Sequence, residues 1–178
     1  MLRLFAAIAI PHEIAQVLQR AQDGLPGTRW RTAEQLHITL RFFGEVREDR
    51  ADDLDSELSV ISAAPFQLDL AGVGHFGEAQ DIRAIWAGVA ESEPLRALAR
   101  RCETAARRAG LAADTRAYHP HVTLAYLNRP DPGRVMAWEQ AHNLMRSPGF
   151  MVGRFGLYSS HQTRDGSVYR LERDYRLG

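Results

Sequence analysis

The sequence predicts an α+β fold: two pseudo-symmetric lobes, each a mainly antiparallel sheet with helices on its outside, flanking a central cleft. Three observations carry this expectation. The segment "LHITL", Leu36 to Leu40, returns as "PHVTL", Pro120 to Leu124, with the two histidines 84 positions apart. Residues that played no part in finding that match keep its offset: Phe66 and Phe150 open "FQLDLAG" and "FMVGRFG", which end on Gly72 and Gly156. Strand-like and helix-like stretches also follow one another in the same order in both halves. Seven His and seven Thr in 178 residues would give roughly 0.3 accidental His-x-Thr triplets, so duplication explains the pair better than chance. Upstream, "FAAIAIPHEIAQVL" resembles "AIWAGVAESEPLRAL" at an offset of 81. Two copies are too few for a solenoid, and no low-complexity linker divides them. The expected organisation is one bilobal domain over residues 1–178, built from repeats of about 1–80 and 81–178.

Each element has a local reason. The apolar run "LFAAIAI" lies in a strand over residues 2–10; it is short, meets "PHE" at once and lacks a cleavage-type sequence, so it reads as a buried strand and not a signal peptide. Residues 12–22 follow Pro11, suited to a first helical turn, and place Ile14, Val17, Leu18 and Ala21 on one face. A strand over 35–43 alternates apolar and polar residues. Residues 49–62 begin acidic, as a helix N-terminus favours, and carry Leu54, Leu58 and Ile61 inward. Strands over 66–73 and 82–90 precede a helix over 94–109 that ends at Gly110, a C′ glycine. After the strand over 120–127, Asp131-Pro132 caps a helix over 132–146 with Val135, Trp138 and Met145 facing in. Strands over 150–158 and 167–176 close the chain, joined through Asp165-Gly166, a preferred two-residue hairpin turn.

Composition narrows the function. The fractions of 45% hydrophobic and 25% charged residues are those of an ordinary globular domain. A formal net charge of zero removes the global basic field that drives non-specific nucleic-acid binding, so any nucleic-acid contact should be local, to an end or a single nucleotide. All 22 basic residues are Arg, which excludes a lysine nucleophile, a Schiff base and a P-loop lysine. The single Cys102 excludes an intramolecular disulfide and a multi-Cys zinc site; its spacing from Leu95, Leu98 and Ala109 reads as a buried structural thiol. No run approaches membrane-spanning length, and a cytosolic monomer is expected.

Side chains alternate faces along a strand, so His37 and Thr39 point one way and Ile38 and Leu40 the other. The same holds for His121 and Thr123 against Val122 and Leu124. The aliphatic pairs should pack under the helices, where burial is worth ~1.5–3 kcal/mol per side chain. If the repeat brings the polar faces together, two imidazoles and two hydroxyls converge across a cleft. One imidazole can take a proton from an attacking water while the other gives one to the leaving oxygen. The threonine hydroxyls can donate to non-bridging phosphate oxygens. Arg41 continues the register 37, 39, 41 and can supply a charge-assisted phosphate contact. Phosphodiester cleavage without a metal or other cofactor is the natural reading.

This His-x-Thr-Leu pair resembles the two signature motifs of the two-histidine (2H) phosphoesterases, and more closely the LigT-like RNA 2′,3′-cyclic phosphodiesterases. The likeness runs through "RLFAAIAIP", "LHITLRFFGEV", "FGEAQDIRAIWAGV", "HPHVTLAYL" and "LYSSHQTRDGSVYRLERDY". It implies hydrolysis of a terminal 2′,3′-cyclic phosphate on RNA to a 2′-phosphomonoester; a small cyclic nucleotide is the alternative substrate that the sequence leaves open. It also implies His37 as proton donor to the departing 3′-oxygen and His121 as the base that activates water. Some members also join RNA ends through a 2′–5′ linkage. Relatives often carry Arg five positions after the second motif His, where this chain has Tyr126; either Arg41 carries more of the phosphate binding or Tyr126 acts in another way.

Blander readings stand beside these. Thr39 and Thr123 fit strands by propensity alone, and Arg41 reads equally as a solvated strand residue. Tyr126 and Phe43 can stack on a base, although aromatics in such strands more often serve the core. "HPH" places His119 two residues from His121, so a zinc hydrolase using His37, His119 and His121 is a rival; it would leave the threonines idle, and the motif strands hold no carboxylate. A non-catalytic binder of phosphorylated RNA ends is the rival from another class. His12, His75, His142 and His161 read as solvated or locally bonded, and the Arg-dense "ARRCETAARR" as a solvated helix face.

Overall fold

A computed structural model describes residues 1–164 and 166–178, with the backbone alone at Ala79. Among the described residues, ten strands and four α-helices follow one another: β1 (Leu2–Ala9), α1 (His12–Gln19), β2 (Arg29–Trp30), β3 (His37–Val46), α2 (Glu48–Ser59), β4 (Phe66–Leu68), β5 (Leu70–Phe76), β6 (Ala84–Val89), α3 (Glu93–Arg108), β7 (His121–Tyr126), α4 (Pro132–His142), β8 (Phe150–Val152), β9 (Arg154–Thr163) and β10 (Gly166–Arg176). The main sheet runs β10-β9-β1-β3-β7-β6-β5, with β2 also on β7, and β4 pairs with β8 apart from it. Every pairing is antiparallel. The α+β class with pseudo-symmetric antiparallel lobes is therefore the observed architecture.

The offset of 84 recurs in the element boundaries: α2, β4 and β5 begin at 48, 66 and 70, and α4, β8 and β9 at 132, 150 and 154. It recurs more tellingly in the pairing. β3 meets β7 through Ile38↔Val122 alone, and Gln67 on β4 pairs with Met151 on β8. Both pairs join positions 84 apart. Residues opposed in an antiparallel pair are related by a local two-fold axis, so one pseudo-dyad passes through both. Its consequence is exchange between the halves. β9 of the second half completes the sheet on β1, and β5 of the first half completes the sheet on β6.

The core is the buried face of this sheet under its helices. Ile38, Leu40, Val122, Leu124, Ile85 and Leu4 are nearly inaccessible, and α2, α3 and α4 bury Leu54, Leu58, Leu95, Leu98, Val135 and Trp138. Trp138 Nε1 donates to the Ala21 carbonyl at 2.8 Å, so even its polar atom is satisfied. Cys102 is fully buried on α3 and its thiol is pushed up to about 12 by desolvation, which leaves it inert. The expected caps are present: Asp131 accepts from the Gly133 amide at 2.8 Å, and Gly110 follows α3 with φ +79.

The boundaries differ where distant contacts intervene. The strand expected over 66–73 divides into β4 and β5, and that over 150–158 into β8 and β9, because β4 and β8 leave the main sheet to pair with each other. The helix expected to reach residue 146 stops at His142; Gly72 donates to the Met145 carbonyl at 2.8 Å and Arg146 bridges to Ala71, which draws this segment straight. The two-residue β2 and the 3₁₀ turn Ala33–Gln35 carry no periodic signal and were not anticipated. Asp165 of the expected hairpin turn lies outside the described residues, but Gly166 and Thr163 are paired beside it. Among the described residues, no helix is long and apolar enough to cross a membrane.

Candidate active site

The register places the quartet. With Ile38 opposite Val122, the antiparallel geometry sets His37 across from Thr123 and Thr39 across from His121. The two histidines lie on the diagonal, a separation of about 7–8 Å in a regular ladder. Pairing ends at that single residue pair, so the strands splay on either side. Burial alternates as the sequence predicts: Ile38, Leu40, Val122 and Leu124 are buried, while His37, Thr39, Arg41, His121 and Thr123 are partly exposed.

Both imidazoles are held in the same way. His37 Nδ1 donates to the Gln35 carbonyl at 2.7 Å, and His121 Nδ1 donates to the His119 carbonyl at 2.7 Å. A carbonyl can only accept, so each ring carries its proton on Nδ1 and presents Nε2 for proton transfer. Gln35 is anchored in turn: its side chain accepts from the Thr32 amide at 3.0 Å and donates to the Ser167 carbonyl at 2.9 Å. Aromatic rings brace both imidazoles. Phe5 and Tyr169 lie 5.0 and 5.2 Å from His37, and Phe76 lies 4.7 Å from His121.

Burial lowers the basicity of both. His37 is pushed down to about 4, mainly by desolvation, with the positive charge of Arg31 and the neighbouring His121 adding to the effect and the Gln35 bond opposing it. His121 is lowered by desolvation, opposed by its bond to His119. The hydroxyls of Thr39 and Thr123 have no protein partner among the described residues, which leaves both free to donate to a ligand. A cavity of about 610 Å³ opens beside Thr39 and His121, lined also by Arg41, Phe42, Phe76 and Tyr118.

Arg41 keeps its register but not its expected freedom. Its Nε meets Glu103 at 2.5 Å, Nη1 lies 3.5 Å from Asp114 and donates to the Phe42 carbonyl, and Nη2 donates to the Ala112 carbonyl at 2.8 Å. Two carboxylates neutralise it in place, so it ties β3 to α3 and the loop beyond. Phe43 packs against the core. Tyr126 is 55% exposed at the end of β7, and the guanidinium of Arg31 lies 5.4 Å from its ring centre.

Arg31 is the residue that sequence reasoning missed. It is only 6% exposed, and Nη2 donates to the Tyr169 hydroxyl at 2.6 Å. Position 31 follows a two-residue strand with no periodicity, so only the long-range contact with Tyr169 could have revealed it. The proposed zinc ligands do not assemble: among the described residues, no three His, Cys, Asp or Glu side chains form a metal-holding group. His119 stacks beside His121 at 5.9 Å and edge-on to Trp86. Of the other four histidines, His12, His142 and His161 have local partners in Gln16, Trp138 and Ser159, whereas His75 meets the distant Glu139 at 2.6 Å.

Two His-x-Thr strands meeting across a pseudo-dyad in this fold are the arrangement of the two-histidine phosphoesterases. The chain belongs to the 2′-5′ RNA ligase superfamily, whose sequence model matches residues 10–164. An RNA 2′,3′-cyclic phosphodiesterase of Geobacillus stearothermophilus is 36% identical over 127 residues, covering 68% of this chain and 40% of that protein, so the match spans about two fifths of that relative's length. An RNA 2′,3′-cyclic phosphodiesterase of Archaeoglobus fulgidus is 30% identical over 134 residues, 74% of this chain and 76% of that one. The crystal structure of E. coli LigT complexed with 3′-AMP superposes with a TM-score of 0.80 at 27% identity, over 99% of this chain and 98% of that chain.

Proposed function

We propose that this chain hydrolyses terminal 2′,3′-cyclic phosphates on RNA to 2′-phosphomonoesters, using His37 and His121 as a proton-transfer pair and no metal ion. The single observation that carries the reading is the matched Nδ1-to-carbonyl bond of the two imidazoles, which directs both Nε2 atoms outward with the same tautomer. Family membership and relatives named RNA 2′,3′-cyclic phosphodiesterase support the same reaction.

In this reading His121 Nε2 takes a proton from water as its oxygen bonds to phosphorus. The bond from phosphorus to the 3′-oxygen breaks, and protonated His37 gives that oxygen its proton. Thr39 and Thr123 donate to non-bridging oxygens, whose charge grows in the transition state. The two imidazoles end with exchanged protonation, and solvent restores them. An RNA 5′-hydroxyl in place of water would run the same steps: His121 takes its proton as its oxygen bonds to phosphorus, the bond to the 3′-oxygen breaks with a proton from His37, and a 2′–5′ linkage results, which the family's name favours as a second activity.

Turnover of a cyclic-phosphate-ended oligonucleotide in excess EDTA, with the product identified as the 2′-phosphate, tests this directly. Retention of the RNA without product would favour a binder, and activity lost in EDTA and restored by zinc would favour the metal rival. The pH profile is a separate test. The free enzyme needs His37 protonated and His121 neutral, and both groups lie below the ordinary histidine value. kcat/KM therefore peaks on the acid side of pH 6.5 and declines toward pH 8, while kcat, measured with a phosphate anion bound beside the rings, peaks at higher pH. A flat kcat/KM between pH 5 and 8 contradicts the imidazole pair.

A further inference from the structure

We propose that Arg31 is the phosphate-binding residue of this site: its guanidinium, held between the rings of Tyr126 and Tyr169, takes the non-bridging oxygens of a terminal phosphate beside His37. The inference rests on the phosphodiesterase reading and supplies the cation that Arg41 does not.

The contrast between the two arginines carries it. Arg31 is buried and the Arg41 side chain is only 10% exposed, yet Arg41 is neutralised by Glu103 and Asp114, whereas Arg31 has no carboxylate within ion-pair distance among the described residues. A buried charge without a counter-ion is costly. Two tyrosine faces, at 5.4 and 5.2 Å from the guanidinium carbon, offset part of that cost. The bond to the Tyr169 hydroxyl uses one of five N–H donors. The remaining side-chain donors are not sealed in, because Trp86 Nε1 is the one buried side-chain polar atom left unpartnered among the described residues. An anion entering the cleft completes the arrangement.

Position argues the same way. Arg31 shares Tyr169 with His37, whose ring lies 5.2 Å from the tyrosine ring. Its backbone is fixed by its amide, which donates to the Leu124 carbonyl at 2.8 Å, and by its carbonyl, which accepts from Gln22 at 2.8 Å. Leu124 directly follows Thr123 of the quartet. The strand pair thus delivers a rigid, bidentate-capable cation to the end of the site that His37 occupies.

The test compares inhibition by adenosine 2′-monophosphate with inhibition by adenosine, using hydrolysis of a cyclic-phosphate-ended dinucleotide as the assay. Arg31→Gln should weaken the phosphorylated inhibitor ~10–100-fold, leave adenosine unchanged and lower kcat/KM by a similar factor. Arg31→Lys should recover part of the loss. An unchanged ratio of the two inhibitors in folded Arg31→Gln overturns the assignment while the phosphodiesterase reading stands; absence of turnover in the unmodified enzyme defeats that reading instead. If Arg31→Gln does not fold, the Arg31 Nε–H resonance of the unmodified protein decides. It should shift on addition of adenosine 2′-monophosphate and not of adenosine, and an unmoved resonance overturns the proposal.

Discussion

Replacing His37 or His121 by Asn lowers kcat on a cyclic-phosphate-ended oligonucleotide by ~10²–10⁴ or more, with little change in thermal stability. Asn is the informative replacement. Its amide N–H can still reach the carbonyl of Gln35 or His119 that each Nδ1 now contacts at 2.7 Å, so the bond that orients the residue survives. What disappears is Nε2. His37 also packs against Phe5 and Tyr169, and Asn disturbs that cluster less than Ala would. The two losses should not multiply in the double variant, because removing either partner already disables the proton exchange and the remainder rests on binding and hydroxyl donors. Single-turnover rates with circular dichroism and a melting curve check the result. Either variant retaining more than a tenth of the wild-type kcat would remove that imidazole from the mechanism.

Ile38→Ala is expected to cost ~2–5 kcal/mol of stability. Ile38 has no accessible surface, nor does Val122 opposite it, and this pair is the only ladder contact between β3 and β7. Truncation leaves a cavity on the pseudo-dyad, where both flanking strands are anchored by other partners and cannot collapse to fill it. For a chain of this size that loss lowers the melting temperature by roughly 5–15 °C. Ile38→Val should cost only ~0.5–1.5 kcal/mol. Urea or thermal unfolding measures both, and an alanine variant within 0.5 kcal/mol of wild type would mean that the halves are joined elsewhere. The neighbours of Ile38 in sequence are His37 and Thr39, so its loss should also loosen the site and reduce activity in the surviving folded fraction.

Much of this was legible from local pattern. The alternation His-Ile-Thr-Leu assigns faces because strand geometry has a period of two, and the structure buries the aliphatic members of both motifs. The Asp131-Pro132 cap and Gly110 stop likewise act over a few residues. β2 and the turn at Ala33–Gln35 were illegible, since two or three residues carry no periodicity and are shaped by the strand they meet.

The amino-acid sequence by itself determined which residues form the polar and apolar faces, where most elements lie, and that two copies of one motif stand 84 positions apart. Only the tertiary structure decided that β5 and β9 cross between the halves, and which of the two arginines is paired with carboxylates. Arg41 is captured by carboxylates 62 and 73 positions away in the chain, while Arg31 is closed in by a tyrosine 138 positions away and meets no carboxylate among the described residues. Periodicity is written by near neighbours, but the partner of a charge is whichever opposite charge packing brings beside it.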